Sequence, residues 1–243
     1  TNTEVEVSNQ SAVSFKIDRP FVTVWDTRNR EYSFYPFNQI RLPVATGVGF
    51  EYDFTVEWGD GTSNNVTSAD GFTGSVHNYA VAGVYEVKIY GNFPKFYLNR
   101  GSERGKLLEI KSWGSIPWQD FGNAFHGAAN MQVSAQDTPD LTAVTSIAAI
   151  FAETTAMTGA SANWQWDTSG IQQMSRAFED AALFNGNISS WETSQVINMS
   201  SMFQRASSFN QDLSLWNVDQ VVNDLNFSSQ ANAWMLPQPL FIN

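Results

Sequence analysis

Three tryptophans, Trp166, Trp191 and Trp216, stand 25 residues apart. Ile171, Val196 and Val221 keep the same interval, as do Ala181, Ala206 and Ala231, and then Phe184, Phe209 and Trp234. Ser169, Ser194 and Asp219 hold a further register, and Asn185 and Asn210 another. Six coincident registers at one spacing leave little room for an irregular globule. A period of about 20–29 residues belongs to solenoids, which stack one supersecondary unit on the next.

Looser copies lie upstream. Phe125, Phe151, Phe178 and Phe203 follow at spacings of 26, 27 and 25, and Met131 and Met157 take the place of Phe184 and Phe209. The pattern predicts about five units with a 25–27-residue period, the first beginning near Leu107 and the last ending after Trp234. Inside one unit, Val196, Met199, Met202 and Phe203 have helical spacing behind Ser194, a good N-cap. That predicts a short helix over Gln195–Arg205, and Asp212–Trp216 reads as a short strand. One strand and one helix per turn make a leucine-rich-repeat-like coil, and such a unit buries its apolar face only by stacking.

The first part of the chain reads differently. Phe21–Trp25 is rich in β-formers, and Phe54–Trp58 and Val84–Tyr90 alternate apolar with polar residues, as half-buried strands do. Gly, Asn, Asp and Ser clusters separate these runs, as sandwich turns do. Charge changes at the same place as the pattern: residues 1–111 carry 11 basic and 13 acidic side chains, whereas residues 112–243 carry only Arg176 and Arg205 against 11 acidic ones. The loop Asn99–Lys106 marks the boundary, giving expected domains of 1–103 (an all-β sandwich) and 104–243 (an α/β solenoid).

Composition narrows the function. The 243 residues carry a net charge of −11, which argues against nucleic acid, because phosphate contacts need Lys and Arg. With no Cys and two His, neither a disulfide framework nor a thiolate or His-rich metal centre is available. No apolar run approaches the roughly 18–20 residues of a membrane-spanning helix. The chain opens TNTEVEVSNQ, without Met or an apolar leader core, and the expectation is a segment of a longer protein. Only 15% of residues are charged, while 21 Asn, 25 Ser and nine Trp give a mix similar to that of extracellular repeat proteins.

Two stretches carry family resemblances. Trp191–Phe203 (WETSQVINMSSMF) and Met199–Val218 (MSSMFQRASSFNQDLSLWNV) resemble the repeats of BspA-type leucine-rich-repeat bacterial surface proteins, and the resemblance extends over residues 107–234. Val56–Thr62 (VEWGDGT), His77-Asn78-Tyr79 and Gly83–Val87 (GVYEV) resemble a PKD-like, immunoglobulin-type domain, over about residues 14–98. These resemblances imply a secreted or surface-anchored bacterial protein concerned with adhesion or binding, and no shared enzymatic activity. The His77 position is structural in PKD-like domains.

The residue-level reading agrees that chemistry is sparse. Asp60 between Gly59 and Gly61 suits an Asx-type turn better than a calcium site, since one carboxylate is too few where 6–8 oxygens are needed. Calcium therefore stays possible, with Asp53, Glu57 and Asp70 as further oxygens, but no motif indicates it. His126 sits at the end of a repeat without a partner in the pattern. The tryptophan row is either an exposed platform for sugar rings or a buried ladder, and its identical place in every copy favours the ladder. Asn185 and Asn210 are expected to form an asparagine ladder that serves backbone groups at a turn. Asp167, Glu192 and Asn217 repeat as a polar site, either an acidic stripe that attracts cations or basic partners or, the preferred reading, a solvated face with favourable charge near helix N-termini.

No dinucleotide fingerprint, P-loop, HExxH or GxSxG motif is present, and no catalytic or metal residues are expected. Binding residues are expected at Gln165, Ser189 and Ser214 as outward strand positions, at Asn187 and Asp212, which share a repeat register, and in the junction loops near Trp113 and Trp118. The leading expectation is a non-enzymatic extracellular or cell-surface binding module. The solenoid would present the ligand face to a host-cell or environmental protein or glycan, with the PKD-like part as support. The alternatives are a carbohydrate-binding accessory module of a secreted polysaccharide-degrading enzyme, or a passive spacer. Oligomeric state is not legible.

Overall fold

The computed structural model describes residues 18–46 and 49–241. The first 17 residues of the expected N-terminal domain, among them the opening TNTEVEVSNQ, lie outside the described residues. Eight strands are present: β1 (Phe21–Asp26), β2 (Gln39–Arg41), β3 (Asp53–Glu57), β4 (Ser63–Thr67), β5 (Val76–Asn78), β6 (Val84–Asn92), β7 (Leu107–Ser112) and β8 (Gln132–Val133).

Six of them form one mixed sheet in the order β4-β3-β6-β1-β7-β8, and β2 pairs with β5 in a separate two-stranded sheet. All pairs are antiparallel except β7 with β8. The period-2 runs set the faces. On β1, Phe21, Thr23 and Trp25 are buried while Val22, Val24 and Asp26 are half-buried. Trp25 Nε1 donates to Thr23 Oγ1 at 2.8 Å, a bond between neighbours on one face. Gly59, at φ +83°, takes the turn after β3 so close to β6 that a Cβ there would lie 2.5 Å from the Glu86 carbonyl oxygen.

Two expectations are overturned here. The immunoglobulin/PKD-like sandwich gives way to a six-stranded mixed sheet, two of whose strands come from beyond residue 103, plus the β2–β5 pair. The leucine-rich-repeat α/β solenoid is not formed either: the described residues contain no helix, and neither Gln195–Arg205 nor Asp212–Trp216 is a helix or a strand.

What replaces the helix is a run of tight turns that bond sideways. Met199, Ser201, Phe203 and Arg205 donate their N–H groups to the carbonyls of Asn223, Leu225, Phe227 and Ser229, one repeat further on. Met174, Arg176, Phe178 and Asp180 do the same to Asn198, Ser200, Met202 and Gln204. A helix would spend these donors on its own preceding turn. The intervening residues close short turns, such as Met202 N–H to Met199 C=O at 3.1 Å. Isolated parallel bridges mark the same stack: Ser146 with Gln173, Gln173 with Asn198, and Asn198 with Asn223.

The backbone shape that permits this recurs with the repeat. Asn123, Ala149, Arg176, Ser201 and Asn226 are all left-handed, at φ between +52° and +61°. A second row, Gly127, Glu153, Asp180, Arg205 and Gln230, is left-handed four residues later. Left-handed residues do not continue a right-handed helix, so each unit turns twice and places Val196, Met199, Met202 and Phe203 inside.

Aromatic rings fill the interior. Phe125, Phe151, Phe178 and Phe203 stack with centroids 5.5–5.7 Å apart, and Trp234 closes the column edge-on against Phe203 and Phe209. The same core continues under the sheet through Phe121, Trp118, Phe21, Trp113 and Phe96.

Candidate functional site

The stacked repeats settle which aromatic rings are available to a ligand. Trp166, Trp191 and Trp216 are buried, stacked at 5.5 and 6.5 Å. Trp191 Nε1 donates to the Trp164 carbonyl at 2.8 Å and Trp166 Nε1 to the Asn163 carbonyl at 3.1 Å. The row is a ladder inside the stack, and no sugar ring reaches it. Trp113 and Trp118 belong to the interior as well: both are fully enclosed, packed on Phe121 and Phe21, and neither lines a surface. As candidate binding residues at the junction they are corrected to core residues, because their large apolar area closes the seam between sheet and coils.

The other expected binding residues lie at the surface. Gln165, Ser189 and Ser214 are exposed, and so are Asn187 and Asp212. Local turn chemistry sets them in register. Asn163 Oδ1 accepts from the Gln165 N–H at 3.0 Å, Asn187 Oδ1 from Ser189 at 3.1 Å, and Asp212 Oδ1 from Ser214 at 3.0 Å. The Ser189 and Ser214 hydroxyls add bonds of 2.7 Å to the same oxygens. These are Asx turns, one per coil. The bonds from the Ser214 amide and hydroxyl hold the Asp212 carboxyl below the usual carboxylate range. What remains outward is the Asn187 amide nitrogen, the second Asp212 oxygen and the Gln165 side chain. Gln165 and Asn187 also line one open pocket of about 320 Å³ with Asn163, Asn185, Gly159 and Gly186.

Asn185 and Asn210 form the expected ladder. Asn185 Oδ1 accepts from the Asn210 N–H at 2.9 Å, and Asn210 Oδ1 accepts from Met235 and Leu236 at 2.8 and 2.9 Å. Asp167, Glu192 and Asn217 are likewise turn acceptors, bonded to the amides of Ser169, Ser194 and Asp219. The Ser169 hydroxyl and amide hold the Asp167 carboxyl below its ordinary range, and the Ser194 amide and hydroxyl do the same to Glu192. With no helices following them, these side chains serve turns rather than helix N-termini.

Asp60 and His77 pin the first half together. His77 Nε2 lies 2.7 Å from Asp60 Oδ2, and its ring stacks on Trp58 with centroids 5.0 Å apart. Asp60 Oδ1 accepts from the Thr62 hydroxyl at 2.6 Å and its amide at 3.0 Å. Burial would raise the Asp60 carboxyl, but the bonds from Thr62 and His77 outweigh it and leave the group below its ordinary range. Asp70 is engaged by the Thr67 hydroxyl at 2.7 Å. Among the described residues no group of three His, Asp or Glu side chains is placed to hold a metal ion.

One charged feature was missed from the sequence. Arg176 and Arg205, the only cations after residue 111, converge on the second left-handed row. Arg205 bonds Asp180 at 2.6 Å and Glu179 at 3.1 Å, Arg176 bonds Glu179, and Arg100 bonds Glu153. Arg104 stacks on Tyr32, 3.7 Å from the ring centroid, at an opening of about 530 Å³ shared with Arg100, Glu153 and Asp180. His126 lies beneath, and its Nε2 is 3.6 Å from a Glu153 oxygen, beyond hydrogen-bond reach. Burial, helped by Arg100, Arg176 and Arg104, pushes its pKa down to about 4. Arg176 and Arg205 are 29 residues apart, off the repeat period, so no periodicity pointed to their meeting.

No curated protein and no solved structure matches the chain. Residues 119–236, the stacked repeats, match the family described as "Mycoplasma protein of unknown function, DUF285".

Proposed function

We propose that the chain is a non-enzymatic binding module that works outside the cell or at its surface. The stacked repeats carry the recognition face, and the sheet-bearing half supports them. The observation that carries this reading is the set of exposed residues Gln165, Ser189 and Ser214 with Asn187 and Asp212, each turn closed by an Asn or Asp side chain that accepts from the amide two residues on. Repeated polar groups on a rigid stack suit a large or repetitive ligand, a protein or a glycan. Catalysis has little support: the His77 ring nitrogen and Asp60 hold each other, and His126 is enclosed and kept neutral above a pH of about 4. The Thr62 hydroxyl, 3.5 Å from the same His77 nitrogen, donates to Asp60 at 2.6 Å, so it is held as a turn donor rather than set against a free base.

The test is a screen of the labelled chain against immobilised glycans and extracellular proteins, followed by titration of the best ligand with Asn187→Ala and Asp212→Ala variants. The expected result is saturable binding that weakens about tenfold in the double variant, equivalent to roughly 1.4 kcal/mol. Binding that ignores both substitutions moves recognition off this face. No binding to any surface leaves the passive spacer as the reading.

A further inference from the structure

In a chain of net charge −11, four arginines draw together along the first coils. Three of them are spent on carboxylates. Arg100 bonds Glu153, its Nε at 2.9 Å from Oε2, Arg205 bonds Asp180 and Glu179, and Arg176 bonds Glu179. Arg104 meets no carboxylate among the described residues. Its Nη1 donates to the Arg100 and Gly101 carbonyls at 2.5 and 3.2 Å, and its guanidinium carbon lies 3.7 Å from the Tyr32 ring centroid. These contacts fix the group and leave Nε and Nη2 unspent among the described residues. That edge of a guanidinium is the one that grips a carboxylate with two parallel bonds.

Two backbone features hold the arrangement. Gly127 is the member of its left-handed row without a side chain, where the later coils have Glu153, Asp180, Arg205 and Gln230. A Cβ there would lie 2.8 Å from Arg104 Cδ and 3.2 Å from Arg100 Cγ, so the two arginine stems fill the room it leaves. Tyr32 is left-handed too, at φ +68°, a shape that is costly for a bulky residue and persists where the surroundings impose it. It sets the ring under Arg104 while 43% of the residue stays exposed.

Arg104 and Tyr32 open onto the space of about 530 Å³ described above, whose rim includes Glu153, Thr155 and Asp180. Glu153 and Asp180 are already neutralised by Arg100 and Arg205, so their oxygens are acceptors suited to hydroxyl donors. The local field is positive: after burial, Arg100, Arg176 and Arg104 all lower the His126 pKa, against Glu179. We infer that this opening binds a carboxylate-bearing sugar, its carboxylate side-on against Nε and Nη2 of Arg104, its ring against the exposed part of Tyr32 and its hydroxyls donating to the rim. A simple anion would use the guanidinium and neither the ring nor the acceptors, and the carboxylate of a peptide side chain brings no hydroxyls. The site shares no residue with the Asn187–Asp212 set and does not rest on it. The chain's own carboxylates are the internal competitors. Glu31 adjoins Tyr32 and raises its hydroxyl pKa, and Glu4 and Glu6 lie outside the described residues. The described ends of the chain are remote: Arg19 bonds Ser115, past the end of β7 opposite to Arg104, and Phe241 packs on Phe227 in the last coil.

The probe is sodium glucuronate, titrated at low salt into the isotopically labelled 243-residue chain while the Arg104 Nε–H and Tyr32 amide signals are followed by NMR. Saturable shifts of both signals in the millimolar range are expected, with glucose and acetate each binding at least about tenfold more weakly. Arg104→Lys keeps the charge, loses the fork and weakens glucuronate about tenfold. Tyr32→Gly weakens it by about as much while the thermal midpoint holds or rises, because glycine relieves the left-handed backbone; a tyrosine with a purely structural part would lower the midpoint instead. Signals that stay put across the millimolar range overturn the inference. Equal binding of acetate, or of an acetylated and amidated aspartate, overturns it in favour of any carboxylate or of an acidic peptide. Affinity that rises about tenfold or more when Glu4→Gln, Glu6→Gln and Glu31→Gln are combined overturns it in favour of the chain's own carboxylate as occupant.

Discussion

Trp191 and Trp216 lie one repeat apart with ring planes 2° from parallel and centroids separated by 6.5 Å. Trp166 continues the column on the other side at 5.5 Å. A ring in the middle of such a column is packed on both faces, so its removal leaves a cavity that neither neighbour fills. Trp191→Ala is therefore expected to cost about 3–5 kcal/mol. Equilibrium unfolding in denaturant reads this directly, and an unchanged midpoint would mean the column contributes nothing.

Ser201 is one of the left-handed residues that let each coil bond sideways. For an L-residue that shape costs roughly 1–2 kcal/mol, and a β-branched side chain suffers most. Ser201→Val is expected to lower stability by at least about 1 kcal/mol, while Ser201→Gly is neutral or slightly stabilising despite glycine's greater unfolded freedom. The two thermal midpoints should fall in the order Gly above Val. The reverse order would contradict the turn-based coil.

His126 makes stability depend on pH in a definite direction. Its folded pKa, about 4, lies below the ordinary value near 6.5, so the unfolded chain binds the proton more readily. The benefit of keeping this ring neutral is fully present above about pH 6.5 and is lost as pH falls toward 4, by up to about 3 kcal/mol. Stability measured across that window in wild type and His126→Gln should show a shallower slope in the variant. Parallel slopes would place the pH dependence elsewhere.

Glu103 and Lys106 form a buried ion pair. Lys106 Nζ is 3.2 Å from Glu103 Oε2 and donates to the Gln39 carbonyl at 2.8 Å, and both side chains are almost fully enclosed. Breaking such a pair strands a charge, whereas removing both partners does not. Lys106→Met alone is expected to cost about 3–5 kcal/mol, and adding Glu103→Gln should recover much of it. Additive losses in the double variant would show that the pair itself is not coupled.

The sequence made the repeat legible because side chains, not backbone, carry its period. The tryptophan ladder and the Asn185–Asn210 ladder follow from position within a register, whereas the structural part expected of His77 rests on the resemblance to PKD-like domains. The helix over Gln195–Arg205 failed for a physical reason. Two four-residue turns in succession bring Val196, Met199, Met202 and Phe203 to one side, as a helix would. What distinguishes the two is where the N–H groups go, and their acceptors lie a whole repeat away. The sandwich failed similarly, because β7 finds β1 about 85 residues earlier in the chain, a pairing that alternation within either strand does not announce. Trp113 and Trp118 were surface candidates because they lie at the expected junction between two domains, yet that junction is where the sheet's core meets the first coil. Gln165, Ser189 and Ser214 were expected as outward positions of short strands, and they are exposed on turns instead, while the meeting of Arg176 and Arg205 depends on left-handed backbone that no composition reveals.

The two ends of the stack are not equivalent. Leu98 and Arg100 hold the first coil, and β8 continues the sheet into it, whereas among the described residues the amides of Asp224, Asn226, Ser228 and Gln230 find no acceptor. Melting should therefore be directional. The coil nearest the C-terminus frays first, the next becomes the new frayed end, and the sheet goes last. Limited proteolysis of such a molecule would yield a ladder of fragments stepping down by one repeat of about 25 residues, with the sheet-bearing half as the final survivor.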